Sequence, residues 1–237
     1  MYLVFYKMNT RNLFYVTLVI SVVVQLLTGV IETWAAFYVD VPRESYIIKQ
    51  LLYLELLVQA IEGLFYIWLV YNFDSVANVT PKRYIDWTIT TPTMLTTLIF
   101  YLIYLGYKNG NLDTSKLEFY NLVNDNADAL SKVLLLNWSM LFFGYLGEMK
   151  VLSTVSGVLL GFVPFLMYYY TIYERYAIKS GDQGLKLFWY FFFFWSLYGV
   201  VALLPYNLKN SLYNILDLFA KNFFGLFLSY IILLKKY

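Results

Sequence analysis

The 237 residues include no cysteine and no histidine. The first absence excludes disulfides, thiolate metal sites and thiol nucleophiles. The second removes the usual proton shuttle near neutral pH and the commonest zinc ligand. Charge is also scarce: 14% of residues are Asp, Glu, Lys or Arg, where a soluble domain carries roughly 25%. The formal net charge is only +2 and no basic block is present, so no nucleic-acid partner is expected. No period of roughly 20–50 residues repeats, which gives no inverted-repeat transporter signature. The longest polar stretch, from Lys108 to about Asp125, holds no catalytic motif, and no enzyme is expected. It reads as a loop. Proton chemistry in such a chain must use carboxylates, tyrosines or an amine.

What is present is apolar. Hydrophobic residues make up 61% of the chain and aromatic residues 22%, with a mean hydropathy of +0.61. Nearly uncharged stretches of about 20 residues each bridge a hydrocarbon core of roughly 30 Å. They predict an all-α membrane protein, a seven-helix bundle with helices near 11–32, 46–73, 84–107, 126–147, 151–174, 185–205 and 210–234. The run from Asn12 to Ile31 is long enough to span, so it is not read as a cleavable signal. The whole chain, 1–237, is expected to form one transmembrane domain in a lipid bilayer, with the plasma membrane as its expected site. Turn chemistry at Pro42, Asn78 to Pro81, Asn109-Gly110 and Ser180-Gly181-Asp182 separates the spans.

Seven spans put the termini on opposite sides. Arg43, Lys49, Lys108, Lys116, Lys132, Arg175, Lys179, Lys186, Lys235 and Lys236 fall on the C-terminal side. Lys7, Arg11, Lys82, Lys150 and Lys209 fall on the other. Positive loops stay in the cytoplasm, so the N-terminus is expected outside.

Three sets of polar residues interrupt the apolar spans. In the seventh, Asp217 and Lys221 stand one helical turn apart and share a face. An amine there costs about 2.5–3.5 kcal/mol on lenient insertion scales. It is either half of a buried ion pair or a lysine carrying a covalent Schiff base with the carboxylate as counter-ion. In the third, Asp86, Thr90 and Thr97 lie within about 40° of one another along roughly 16 Å of helix. Arg83 precedes them; it either snorkels to the interface and pairs with Asp86, or joins a buried cluster. Threonines of this kind also bond back to their own helix, and Pro92 kinks it. In the second, Glu55, Gln59 and Glu62 make one narrow stripe. That stripe is either an interhelical hydrogen-bonding seam or a cation pathway completed by Ser21, Gln25 and Asn214.

The run Arg83-Tyr84-Ile85-Asp86-Trp87…Thr90-Thr91-Pro92, with Asp217-x-x-x-Lys221 in the seventh span, closely resembles helices C and G of microbial rhodopsins. The resemblance covers essentially the whole chain. It implies all-trans retinal bound to Lys221 as a Schiff base, with Asp86 and Asp217 as counter-ions and Arg83 and Thr90 beside them. It further implies a retinal pocket made by Trp87, Thr91, Pro92, Asn137, Met140, Gly144, Trp195 and Tyr198. Two positions depart from the family: Gly199 stands where many members have proline, and Ala202 where many have tryptophan.

Thr97 occupies the position where outward proton pumps usually carry an acid, and the stretch Pro205 to Asn210 lacks the acidic pair of the archetypal pump. With a glutamate-bearing second helix, the chain is most similar to viral rhodopsins of the light-gated channel type. The expected function is a light-gated cation channel. A light-driven outward proton pump is the alternative, and a photosensor with a separate transducer the third reading. Transported cations are the expected small partners, and the aromatic outer faces permit a homo-oligomer without demanding one.

Overall fold

The computed structural model describes residues 9–237, so Lys7 lies outside the described residues. Among the described residues there is no strand. Helices α1 (Thr10–Tyr38), α2 (Tyr46–Asn72) and α3 (Thr80–Asn109) come first, followed by the short α4 (Phe119–Asp125). Then come α5 (Ala127–Glu148), α6 (Thr154–Arg175) and α7 (Gly181–Val201). The last rod is composite: α8 (Tyr206–Asp217), a π-helical turn at Leu218–Asn222, and α9 (Phe223–Leu233). Counting that rod once, seven helices are long and apolar enough to cross a membrane.

The helix ends depart from the sequence reading where local chemistry decides them. α1 continues past 32 to Tyr38, so Glu32 sits within the helix and not at its end. α3 starts at Thr80, not 84, because Pro81 falls in its first turn, where a missing N–H costs nothing. α7 starts at Gly181 and not 185. Gly181 has φ +71°, and a Cβ there would meet the Asn109 side-chain amide at 2.3 Å, so only glycine fits. α7 ends at Val201, and Pro205 begins the next rod as its N-cap. The connection after Lys108 is not a plain loop; it holds a 3₁₀ turn at Thr114–Lys116 and then α4. Asp113 caps that turn, accepting from the Ser115 hydroxyl at 2.6 Å and its backbone N–H at 3.0 Å. Those bonds hold its carboxyl below the usual aspartate range.

Rods adjacent in sequence pack side by side, and α8 and α9 return against α1 and α2, closing a ring. α3 touches α2, α5 and α7 and is the most enclosed rod. In its most apolar stretch 72% of residues are buried, against 33% for α1. The polar residues of α3 are thereby carried to the centre. α5 and α6 approach most intimately, because Gly147 faces Gly157. A Cβ on Gly157 would lie 2.8 Å from the Phe143 carbonyl oxygen and 3.0 Å from the Gly147 Cα.

The main apolar core fills the C-terminal half of the bundle around Leu51, Leu98, Phe100, Tyr101, Phe224 and Leu228. The other half holds Arg83, Asp86, Asn210, Asn214 and Asp217 among its buried polar groups. Lys209, counted from sequence as a loop cation, is buried there and pairs with Glu148 at 2.6 Å. Its charge is neutralised inside the bundle, so it leaves the count of free loop charges.

Candidate functional site

Lys221 lies in the π-helical turn of the last rod and is 4% exposed. Such a turn widens the backbone by one residue and is commonly found at functional sites. The Lys221 Nζ donates to Asp86 Oδ2 at 2.7 Å. Glu62 Oε1 lies at 3.5 Å and Asp217 Oδ1 at 3.7 Å. Three helices therefore each bring one carboxylate to a single amine.

Asp217 is held on every side. Tyr66 donates to its Oδ2 at 2.6 Å and Tyr198 to its Oδ1 at 2.7 Å. Arg83 adds an ion pair at 3.4 Å. The same guanidinium donates to Asn210 Oδ1 at 3.0 Å and to Asn214 Oδ1. Arg83 is thus wholly buried and pairs with Asp217, not with Asp86 and not with the interface. Asp86 Oδ1 and both Glu62 oxygens have no hydrogen-bond partner. Two cations and three carboxylates leave one carboxyl in excess, and Glu62 is the least satisfied. The hydroxyls of Thr90 and Thr97 donate to the carbonyls of Asp86 and Thr93. Thr90 thus bonds back to its own helix and makes no hydrogen bond to a carboxylate or the amine.

Next to Lys221 a cavity of about 780 Å³, its open mouth included, runs between α3, α5, α6 and α7. Trp87, Thr91, Met140, Gly144, Trp195 and Tyr198 all line it. Pro92 and Asn137 do not. Asn137 stands behind the wall, donating to Thr91 Oγ1 at 2.8 Å, and Pro92 is buried within α3. Gly144 does not widen the cavity directly; a Cβ there would strike the Tyr84 hydroxyl at 2.7 Å. Gly199 and Ala202 line the cavity too. A Cβ at Gly199 would meet the Phe162 ring at 2.5 Å, so this glycine is filled by an aromatic from α6. The result is an aromatic sleeve closed at one end by an amine. That shape suits a long, flat apolar molecule whose carbonyl end meets Lys221.

A second feature runs between α1, α2 and the last rod as a column of buried polar groups in layers. Towards the N-terminal side, Ser21 donates to the Asn214 carbonyl at 3.1 Å, and the Asn214 amide reaches Thr17. The next layer holds Glu62, Lys221 and Gln25, whose amide faces Glu62 without a hydrogen bond. In the third, Gln59 donates to the Gln25 carbonyl at 2.6 Å and to Thr28 at 2.8 Å. Asn222 donates to Thr28 at 2.9 Å and to Gln59 at 3.1 Å, closing that layer. In the fourth, Glu55 and Glu32 are both buried and unpartnered. The six residues expected to line one path do fall in one column, but Glu62 also belongs to the lysine cluster.

Sequence reasoning missed Tyr66, Thr28, Glu32, Asn210 and Asn222. Tyr66 extends the Glu55–Gln59–Glu62 stripe by one more turn. Thr28 and Glu32 likewise extend Ser21 and Gln25 at helical spacing. Asn222 gave no such signal, because in a regular helix it would lie about 100° away from Lys221.

A bacteriorhodopsin-like family model matches residues 9–234. The viral rhodopsin OLPVRII has a similar solved structure, with 26% identity, a TM-score of 0.79, and 95% of this chain and 99% of that one covered. Xanthorhodopsin, described as a light-driven ion pump with dual chromophore, shares the fold at 18% identity and a TM-score of 0.68, covering 95% and 94%. Bromide-bound halorhodopsin from Halobacterium salinarum does so at 15% identity and 0.70, covering 96% of each chain. No curated protein matches the sequence. With seven membrane-crossing helices around a buried lysine, the chain belongs to the bacteriorhodopsin-like family of integral, multi-pass membrane proteins.

Proposed function

We propose that this protein is a retinal-binding photoreceptor that acts as a light-gated cation channel, with its N-terminus outside. Retinal, when bound, would supply light absorption and a change of shape beside the amine. The residues present fit it: Lys221 Nζ ends the sleeve, and the Trp87 and Trp195 rings flank the space leading to it. Asp86 holds a positive charge at that nitrogen by direct contact, and Asp217, fixed by two tyrosines and Arg83, adds a second, more rigid negative charge. Burial keeps competing water out and strengthens both interactions.

The observation that carries the channel reading is the polar column. Its oxygens line a path for a cation along α1, α2 and the last rod, and several of them lack partners. Buried groups of this kind are costly in a dry seam and useful along a hydrated path. Thr97 offers no acid for pumping from the side of the C-terminus. The second reading, a light-driven outward proton pump, is favoured by the direct contact of Asp86 with the Lys221 nitrogen, which offers a nearby proton acceptor.

Voltage clamp under illumination, in cells supplied with retinal, separates them. A channel gives photocurrents that reverse sign with the cation gradient, whereas a pump drives current one way across a wide voltage range. Neutralising Glu55 or Glu62 is expected to change conductance or selectivity; unaltered currents in both variants would remove them from the path.

A further inference from the structure

Three tyrosines line the sleeve, and two of them have committed hydroxyls. Tyr198 donates to Asp217 at 2.7 Å, and Tyr213 donates to the Tyr198 carbonyl at 3.4 Å. The third, Tyr84 on α3, is only 8% exposed, yet its hydroxyl makes no hydrogen bond among the described residues. A buried phenol ordinarily finds a partner, because its O–H has given up water. Glu148, one turn beyond Gly144 on α5, lies near enough for its charge to act on Tyr84. Both its oxygens, however, accept from Lys209, at 2.6 and 2.8 Å.

Gly144 locates the free hydroxyl. A Cβ there would lie 2.7 Å from the Tyr84 oxygen and 3.2 Å or more from the carbons of its ring. Gly144 lines the sleeve but not the groove that Tyr84 and Leu141 share on the outer face of α3 and α5. The hydroxyl is therefore on the sleeve side, and the phenol ring backs onto the groove. Lys221 reaches the sleeve from the last rod, and α5 and α6 stand across the ring of helices from it. A chromophore with its aldehyde at Lys221 must rest its other end, the ring, against α5 and α6. Met140, Gly144 and Gly161 line that end. The walls hold two further donors without partners, the indole N–H groups of Trp87 and Trp195. A plain hydrocarbon ring accepts from none of the three.

We propose that the sleeve is built for a retinoid carrying an oxygen on its ring, and that the Tyr84 O–H donates to that oxygen. This rests on the retinal reading above and narrows it to one chemical class of chromophore. Lys221 fixes one end of the molecule and Tyr84 the other. The phenol is already positioned: the Trp87 ring stands edge-on to it at 4.9 Å and the Tyr145 ring at 5.7 Å. The bond therefore needs little further ordering of the protein. A ring hydroxyl loses its water on entering an apolar sleeve, and Tyr84 restores one hydrogen bond. A ring without oxygen leaves the Tyr84 donor unsatisfied. Both effects discriminate in the same direction.

Competitive reconstitution tests this. The retinal-free protein is offered all-trans retinal in equal amount with all-trans 3-hydroxyretinal or 4-hydroxyretinal, and the bound chromophore is released and quantified by chromatography. At least one of the alcohols should be taken up in ~5-fold excess, the scale of one net hydrogen bond. A methyl group on the same ring carbon, similar in size, should bring no excess. Tyr84→Phe should abolish the preference for the alcohol. Gly144→Ala should abolish it too, since its Cβ displaces the hydroxyl while the phenol stays, so one folded variant suffices. Equal uptake of alcohols and retinal by the wild type, or an excess that survives in the variants, would overturn the proposal. A wild type that takes up no retinoid at all would instead defeat the reading it rests on.

Discussion

Lys221 has three carboxylates within 3.7 Å but a hydrogen bond to only one of them, Asp86 at 2.7 Å. The three are therefore not equivalent, and single substitutions should separate them. Lys221→Ala removes the amine, so purified protein incubated with all-trans retinal should stay colourless in an absorption spectrum. Asp86→Asn removes the nearest charge but leaves Asp217 held by Tyr66, Tyr198 and Arg83. That variant should bind retinal and absorb at longer wavelength, because a positive charge less tightly localised by its partner lowers the excitation energy. An unshifted band would mean that Asp86 is not the dominant counter-ion. Much at this scale was legible in the sequence, since Asp86, Asp217, Lys221 and Arg83 are charges in otherwise apolar runs. Glu62's double membership was not, because spacing along one helix cannot say which neighbour its carboxyl meets.

Between elements, glycine sets the closest approach. Gly157 and Gly147 bring α5 and α6 together, and a side chain at 157 would run into the Phe143 carbonyl. Gly157 also lines the sleeve. Gly157→Leu should therefore cost about 1–3 kcal/mol through overpacking, read as faster thermal bleaching of the visible band. The seven rods were legible from hydropathy, because a bilayer core fixes their length. Their ends were less so: Pro81 and Gly181 read as breakers but act as first-turn residues, since a helix N-terminus tolerates what its interior does not. Of the eight residues assigned to the sleeve from resemblance, Pro92 and Asn137 fall outside its lining. Asn137 lies one layer behind, bonded to Thr91, and Pro92 is buried within α3; a motif match cannot distinguish wall from backing.

For the molecule as a whole, the Lys209–Glu148 pair ties the start of the last rod to the end of α5 across the bundle. Both partners are nearly buried, so removing one strands the other. Glu148→Gln should lower stability by about 3–5 kcal/mol, measured as the midpoint of thermal bleaching. Replacing both together with apolar residues of similar size should recover most of that loss. Equal destabilisation by single and double variants would show that the pair acts through packing alone. The π turn acts on the same scale. One added residue in a helix advances everything beyond it by about 100° and 1.5 Å. Gly225 meets Glu32 on α1, with the glycine leaving room for its carboxyl, only because that rotation has taken place. The swivel that loosens the backbone at Lys221 is thus also what aims the far end of the rod, and the two halves of the bundle share one register through a single supernumerary residue.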